Sequence, residues 1–199
     1  MTYEEFYGKD YERLKQAESR IVQVIVDYQK SQEQDSGFQA VQYCKSRIKS
    51  PESMAAKLRI RGLPVSVESA LTQVNDAVGA RAVCAFSDDI YKLSEWIQAQ
   101  PDFKVIQIKD YIAYPKDNGY LSYHMILKIL HGGGEGLAVE VQIRTIAQDF
   151  WASLEHQLKY KKEIRNENLI RQELKRCADE IASADLSMQV IKDLIGSVF

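Results

Sequence analysis

The stretch that most constrains the fold of this chain is a strand-like segment, AVEVQIRT at 138–145. Apolar Val139, Val141 and Ile143 alternate there with polar residues. Because successive side chains on a strand point to opposite faces, the alternation predicts a strand with one buried face. The other face carries a carboxylate, an amide and a guanidinium in one row: Glu140, Gln142 and Arg144. That row favours a functional site, since a purely structural strand more often carries Thr, Ser or Lys.

The rest of the sequence predicts a mixed α+β domain around that strand. Four further strands are predicted from β-branched or alternating runs at 41–48, 75–86, 103–108 and 121–130. Glycine-rich residues 131–136 predict a hairpin connection into the central strand. Helices are predicted at 3–30, from the N-cap Ser50 to a stop at Gly62, and at 66–73, 88–98 and 146–161. A chain of 199 residues is long enough to bury one core around such a sheet.

Long helices are predicted at both ends of the chain. A polar linker at 31–37 follows the first, so we expect the globular domain to span 38–162 and the C-terminal helix to span 163–199. The C-terminal segment has residues at alternating spacings of four and three, which is a heptad seam. The seam comprises Ile170, Leu174, Cys177, Ile181, Ala184, Met188, Ile191 and Ile195. It favours a homo-oligomer, and packing against the chain's own domain is the alternative.

Charge is unevenly distributed along the chain. The formal net charge of −2 argues against wholesale electrostatic binding of nucleic acid. Between residues 45 and 61, however, six lysines and arginines oppose the single carboxylate of Glu52. Such an island favours a compact polyanion such as a nucleotide, and a solvated basic face is the alternative.

Three features predict a cytoplasmic protein. Cys44, Cys84 and Cys177 have no CxxC spacing and are odd in number, which is typical of free thiols in a reducing compartment. No apolar run approaches the roughly 18 residues of a membrane span. The N-terminus is acidic and aromatic, unlike a signal peptide.

The first candidate constellation is RIKSPESMAAK at 47–57. Arg47 and Lys49 are two residues apart at a predicted strand end, and Ser53 and Lys57 are four apart on the following helix, so each pair shares a face. Ser53 lies in the first helical turn, where free N–H groups and the helix dipole favour an anion. The pattern predicts a triphosphate cradle, although no GxxxxGK[ST] loop is present and an ordinary basic helix is the alternative.

The second candidate constellation is the pair of Asp76 and Glu140. Two carboxylates on neighbouring strand ends are a minimal holder for Mg²⁺, which completes its shell with phosphate and water oxygens. Asp76 has an alternative role as the cap of a turn after Asn75. Arg81 adds a planar cation near the same strand, and Gly79 marks either a bulge or a close ligand approach.

The third candidate constellation is the loop 109–124, which has the sequence KDYIAYPKDNGYLSYH. Lys109 and Lys116 offer two positive charges for phosphate oxygens. The turn at Asn118 is expected to lift Tyr120 toward solvent, where its ring can stack on a base. His124 shares a strand face with Tyr120, and core packing is the alternative for each aromatic. The motifs HExxH, CxxC and GxSxG are absent, so zinc and serine hydrolase chemistry is unsupported.

Taken in order, these motifs resemble the synthetase domain of the RelA/SpoT family. The resemblance covers about residues 40–162, with RIKSPESMAAK, DAVGAR, the 109–124 loop, VEVQIRT and FWASLEHQLKYK as its parts. The length is similar to that of the small alarmone synthetases. The resemblance implies a nucleotidyltransferase-like mixed β-sheet flanked by helices, in an enzyme of the stringent response. Such enzymes transfer the β,γ-pyrophosphate of ATP to the 3′-OH of GDP or GTP, which gives ppGpp or pppGpp and AMP.

The resemblance also implies a role for each candidate residue. Arg47 and Arg81 would sandwich the adenine, while Lys49, Ser53 and Lys57 would hold the ATP phosphates. Asp76 and Glu140 would bind Mg²⁺, with Glu140 deprotonating or orienting the 3′-OH. Tyr120 would stack on the guanine and Glu155 would support the site. The remaining residues would surround the acceptor: Lys109, Lys116, Asn118, His124, Gln142 and Arg144.

Two other functions stay open at this point. Toxin members of the family use an adenine nucleotide or the 3′ end of tRNA as acceptor, and the net charge of −2 argues mildly against tRNA. A non-enzymatic nucleotide- or RNA-binding regulator is the third possibility, but such a protein has no need for the Asp76–Glu140 pair. Small synthetases of the family are often homotetramers, which is consistent with the predicted terminal helices.

Overall fold

The computed structural model describes residues 1–36, 39–159 and 166–196 of the chain. Its elements are α1 (Tyr3–Tyr7), α2 (Asp10–Ser36), β1 (Val41–Ile48), α3 (Pro51–Ile60), α4 (Val67–Thr72), β2 (Val78–Cys84), α5 (Ser87–Gln98), β3 (Phe103–Asp110), β4 (Tyr123–Ile129), β5 (Ala138–Thr145), α6 (Ile146–Lys159) and α7 (Glu167–Gly196). The predicted mixed α+β class is confirmed.

The five strands form one mixed sheet in the order β1-β2-β5-β4-β3. Strands β2 and β5 pair in parallel, and the other neighbours pair antiparallel. β5 therefore lies at the centre, with β1 and β2 on one side and β4 and β3 on the other. This position brings the two predicted nucleotide-binding segments, which are far apart in sequence, to opposite sides of one strand.

The core lies on the apolar face of that sheet. Val139, Val141 and Ile143 of β5 are fully buried, as their alternation predicts. Helices α2 and α5 cover this face, with side chains such as Ile21 and Leu93 in the same core cluster. With one face occupied by these helices, the polar residues of β5 are left on the opposite face.

The N-terminal prediction of one helix followed by a linker is wrong in two respects. Gly8 adopts a φ of 56° and separates α1 from α2, a conformation that glycine takes without strain. Helix α2 then continues through most of the predicted linker and ends at Ser36. Residue 37, the last of the predicted linker, lies outside the described part of the chain. The residues on either side of the two predicted domain boundaries, 37/38 and 162/163, lie outside it as well. The predicted continuation of α6 to residue 161 lies there too.

The two halves of α7 differ in how far their apolar side chains are covered. Leu174, Cys177 and Ile181 pack against a small cluster around Trp151 of α6, so this half of the seam belongs to the chain's own domain. The second half of the helix is different, because several large apolar side chains there are exposed: Leu186, Met188, Val190, Ile191, Leu194 and Ile195.

The structure also bears on the cysteines and on the search for a membrane span. Cys84 is buried and Cys44 and Cys177 are half-buried, all as free thiols. Over the described ranges, none of the helices combines the length and apolarity that crossing a membrane requires.

Candidate functional site: two polar rows across the sheet

The polar face of the sheet carries two rows of residues that run across the strands. Strand pairing brings together one residue from each of the five strands: Lys45, Arg81, Gln142, His124 and Lys109. In the neighbouring row, Gly79 lies between Arg47 and Glu140. A Cβ at Gly79 would have only the Glu140 carbonyl oxygen within 4 Å among the described residues, at 3.9 Å. The surface between Arg47 and Glu140 is therefore open, and the strand register has no bulge at Gly79.

Asp76, just before β2, binds both lysines of the predicted phosphate cradle. Lys49 Nζ donates to Asp76 Oδ2 at 2.6 Å, and Lys57 Nζ donates to the same oxygen at 2.5 Å. Burial would raise the pKa of Asp76, but the hydrogen bonds from the two lysines outweigh burial and hold that pKa below its ordinary value. Asp76 is therefore ionised at neutral pH, and ion pairs hold the cradle together before a ligand arrives.

The second oxygen of Asp76 suits a hard cation. Asp76 Oδ1 is buried and has no hydrogen-bond partner among the described residues. Leaving such an atom unpaired is costly, and an oxygen-seeking cation would satisfy it. The charge of Asp76 also acts to raise the pKa of Glu140, so the two carboxylates interact electrostatically. Over 1–36, 39–159 and 166–196 no three acidic, histidine or cysteine side chains converge. A cation here would therefore need oxygens from its ligand to complete its shell.

Glu140 is half-buried and held by its neighbours on the polar face. Gln142 Nε2 donates to Glu140 Oε2 at 3.1 Å, and His124 Nδ1 lies 3.8 Å from Glu140 Oε1. Burial would raise the pKa of Glu140, but His124 and Gln142 lower it by more, so the pKa lies below its ordinary value. Glu140 is therefore a carboxylate at neutral pH, well suited to accept a hydrogen bond.

Arg144 organises the β4 side of the site from beneath the surface. Its side chain is 4% exposed. Nε donates to Ser122 Oγ at 3.1 Å, and Nη1 donates to Asp149 Oδ1 at 2.9 Å. Nη2 donates to the Tyr120 hydroxyl at 2.6 Å and to Gln142 Oε1 at 2.9 Å. Arg144 thus orients Tyr120 and Gln142, while its direct contact with an acceptor stays a prediction.

Tyr120 is half-buried, so the expectation that the turn lifts it toward solvent is wrong. One side of its ring packs on the cluster around Trp151, because α6 and α7 cover that side. Its hydroxyl lies 2.9 Å from His124 Nε2. Lys116 Nζ lies over the ring of Tyr120, 4.7 Å from its centre. This lysine must therefore move before a base can stack on the part of the ring that it covers.

The remaining predicted residues surround these groups. Asn118 Nδ2 donates to Glu155 Oε1 at 3.0 Å, and Asn118 Oδ1 accepts from the Tyr120 backbone N–H at 3.2 Å. This agrees with the supporting role expected of Glu155, although that role stays a prediction. Ser53 is exposed in the first turn of α3, where its backbone N–H donates to the N-cap Ser50 at 3.3 Å. Lys109 is exposed at the β3 edge of the row.

Sequence reasoning missed four residues of this face. Asp149 in the first turn of α6 accepts hydrogen bonds from Tyr43 at 2.8 Å and Arg81 at 3.2 Å, as well as from Arg144. Tyr43 and Lys45 have the same strand parity as Arg47, which is a signal that could have identified them. The ring of Tyr111 lies 4.6 Å from Lys116 Nζ and meets the ring of Tyr120 edge to face, with 5.9 Å between the ring centres. No local pattern singles out Asp149.

The geometry supports a site for two anionic ligands that meet over Glu140. One side offers cations arranged around Asp76, and the other offers aromatic rings, amides and a histidine. A carboxylate between two such sites can orient a hydroxyl of one ligand toward a phosphate of the other.

The chain is similar in sequence and in fold to known proteins. A family model described as a region found in RelA/SpoT proteins matches residues 46–165. The chain is 37% identical over 159 residues to the GTP pyrophosphokinase YwaC of Bacillus subtilis, which covers 78% of this chain and 76% of YwaC. It is 32% identical over 165 residues to the GTP pyrophosphokinase YjbM of the same organism, covering 80% of this chain and 76% of YjbM.

A solved structure is similar over nearly the whole chain. It is small alarmone synthetase 1 from Bacillus subtilis bound to its product pppGpp, with a TM-score of 0.81 and 28% sequence identity. The match covers 92% of this chain and 95% of that protein. The likeness therefore includes the helices outside the region matched by the family model.

Proposed function

The chain belongs to the RelA/SpoT family, and from that premise we propose that it is a small alarmone synthetase. It transfers the β,γ-pyrophosphate of ATP to the 3′-OH of GDP or GTP and releases AMP. The observation that carries the proposal is the position of Glu140, between a cationic cradle on one side and an aromatic, hydrogen-bonded pocket on the other. The 37% identity to a GTP pyrophosphokinase supports the same activity.

ATP binds on the β1–β2 side of the site in this proposal. Arg47 and Arg81 hold the adenine, while Lys49, Ser53 and Lys57 hold the phosphates. Both lysines are paired with Asp76, so the phosphates must compete with one carboxylate for them. A triphosphate can do so, because it offers several charged oxygens to each lysine. The ion pairs with Asp76 hold Lys49 and Lys57 close together, where both can reach the phosphates.

Asp76 and Glu140 would hold Mg²⁺ in the working enzyme. The buried, unpartnered Asp76 Oδ1 and the ionised state of both carboxylates support this assignment. When bound, the cation offsets the negative charge of the phosphates. Two protein carboxylates are a typical share of a Mg²⁺ shell that substrate oxygens complete.

The acceptor binds on the β4–β3 side, where Tyr120 stacks on the guanine. Around it lie the other residues of the acceptor pocket: Lys109, Lys116, Asn118, His124, Gln142 and Arg144. Glu140 accepts a hydrogen bond from the 3′-OH and aims its oxygen at the β-phosphorus of ATP. The new O–P bond forms as the bond from the β-phosphorus to the bridging oxygen breaks, and AMP leaves with that electron pair. The hydroxyl proton passes to Glu140.

The decisive test is a panel of acceptors with purified protein, ATP and Mg²⁺. GDP, GTP, ATP and tRNA are offered separately, and AMP and 3′-pyrophosphorylated product are measured. We expect product with GDP or GTP. Product with only ATP or tRNA would reassign the acceptor while keeping the reaction. No product from any acceptor, with folded protein, would refute the enzymatic function.

The exposed half of α7 supports a homo-oligomer as part of the proposal, with a homotetramer as the expected state. Leu186 is 65% exposed and Leu194 is 62% exposed on this face. Exposed apolar side chains grouped on one helix are typical of a surface that another copy covers. Light scattering of the wild type and of the Leu186→Glu/Leu194→Glu variant tests it. A smaller species in the variant is expected, and a monomeric wild type would contradict the assignment.

A further inference from the structure

The acceptor loop sits directly on the C-terminal helix. Gly119 has a φ of +84°, and a Cβ there would lie 2.5 Å from the Ala178 Cβ and 3.2 Å from the Lys175 Cα. Ala178 is 3% exposed, so its methyl group is buried in this contact. Glycine and alanine meet at the closest point of the contact, and Gly119 has no space for another carbon atom.

A second contact joins the same helix to Tyr120. The ring of Tyr120 packs on the cluster of Trp151, Ala152 and Ala178. Trp151 Nε1 donates to the backbone carbonyl of Leu174 at 2.9 Å, which fixes the indole against α7. The residue that would stack on the acceptor base is therefore supported by α7 on its buried side.

A cavity separates part of the acceptor loop from the first turns of α7. A cavity of about 490 Å³ lies between the loop and the helix, with Lys116 and Asn118 on the loop side and Ile170 and Arg171 on the helix side. Helix α7 thus lines a cavity together with Lys116 and Asn118, two of the predicted acceptor residues. It also lies beyond residue 165, where the match to the family model ends.

Helix α7 is itself fixed to the domain by contacts that do not involve the loop. Thr145 Oγ1, at the end of β5, donates to Asp185 Oδ2 at 2.6 Å. Lys192 Nζ donates to Asp88 at 2.8 Å and to Asp89 at 2.9 Å. Because these anchors hold the helix in place, a larger side chain at the loop contact would displace the loop rather than the helix.

We infer that α7 is a positioning element of the acceptor site and that the Ala178–Gly119 contact sets where the acceptor loop lies. The inference rests on the proposed function, since it assigns the loop to the acceptor. It adds that acceptor affinity depends on α7, whereas ATP affinity does not. Ala178 touches neither nucleotide and acts through the position of Asn118 and Tyr120.

The test measures binding rather than turnover. Isothermal titration gives the Kd of GDP and of a non-hydrolysable ATP analogue for the wild type, Ala178→Leu and Ala182→Leu. Ala182 is an exposed residue one turn further along α7, so it is the matched control. We expect Ala178→Leu to raise the Kd of GDP about tenfold and to change the Kd of the ATP analogue less than about twofold. Ala182→Leu changes neither.

A second pair of variants tests the contact from the loop side and does not depend on the folding of Ala178→Leu. Gly119→Ala is expected to weaken GDP binding by about tenfold, because the new Cβ meets Ala178 and the backbone has a positive φ. Adding Ala178→Gly removes the steric part and restores GDP affinity in part. Thermal unfolding identifies any variant that is not folded.

Three outcomes would overturn the inference: equal losses of GDP and ATP binding, unchanged GDP binding in Gly119→Ala, or no recovery in the double variant. A wild type that binds GDP but forms no product refutes the proposed synthetase and leaves the inference standing. A wild type that does not bind GDP refutes both.

Discussion

The two sides of β5 are built differently although both face a charged ligand. On the β1–β2 side, Lys49 and Lys57 share one carboxylate, Asp76, and Arg47 and Ser53 are exposed. On the β4 side, buried Arg144 is hydrogen-bonded to four other side chains, and the loop is seated on α7. The first half is a set of partly buried ion pairs that share one carboxylate, and the second is a packed hydrogen-bond network.

The difference shows how each half would meet its ligand. On the β1–β2 side two lysines share Asp76, so a phosphate that drew one lysine away would still leave that carboxylate paired with the other. A buried network contributes to folding and resists rearrangement, so the acceptor half is set before the acceptor arrives. Variants on the ATP side should therefore affect ligand binding, and variants on the acceptor side should affect both binding and stability.

The largest effect is expected at Glu140, which belongs to both halves. Glu140→Gln keeps the shape and the hydrogen bond to Gln142 but removes the charge. Turnover is expected to fall by about 10³-fold, within the range for loss of a general base, with thermal unfolding unchanged. AMP release is the measurement. Glu135→Gln, an exposed carboxylate in the β4–β5 connection, is the control. Full activity in Glu140→Gln would remove Glu140 from the reaction.

Stability separates the two halves most directly. Arg144→Met leaves buried Asp149 without its closest cation, and the free energy of unfolding is expected to fall by about 3 kcal/mol. Lys57→Met leaves Lys49 on Asp76, and because Lys57 is partly exposed the expected fall is less than about 1 kcal/mol. Urea unfolding measures both. Equal losses would show that the two halves are not built differently.

Acceptor affinity is the third test of the contrast. Tyr120→Ala removes the stacking ring, and the KM for GDP is expected to rise about tenfold or more, while the KM for ATP stays unchanged. Tyr114→Ala is the matched control, because Tyr114 belongs to the same loop and is 80% exposed. An unchanged KM for GDP in Tyr120→Ala would refute the stacking assignment.

The smallest expected effect is the acid dependence of the ATP half. The pKa of Asp76 lies below its ordinary value of 3.8, so the unfolded chain takes up that proton first as the pH falls. The stabilisation is present above pH 3.8 and is lost as the pH falls through the lower pKa of the folded state. The free energy of unfolding of the wild type falls as the pH is lowered through this range. In Asp76→Asn this fall should be less steep, with a slope smaller by less than about 1.4 kcal/mol per pH unit. An unchanged slope would contradict the ion-pair description.

Much of the fold follows from local pattern. The strand at Val41–Ile48 has the predicted bounds, and Ser50 caps α3 as expected, because alternation and capping depend on neighbouring residues. The failures lie where distant contacts decide. Helix α2 runs through a polar stretch predicted as a linker, and the α6–α7 cluster covers the ring of Tyr120 that was expected to face solvent.

The sequence by itself determined that Glu140, Gln142 and Arg144 share one face of a strand, since strand parity is a local property. Only the tertiary structure placed that strand at the centre of the sheet, with β1 and β2 on one side and β4 and β3 on the other. Only the tertiary structure decided that Lys49 and Lys57 share Asp76, that Arg144 lies beneath the surface and that Gly119 rests on Ala178. These contacts join residues far apart in the chain. Their partners are selected by packing and by the need to satisfy buried charge, which no local pattern encodes.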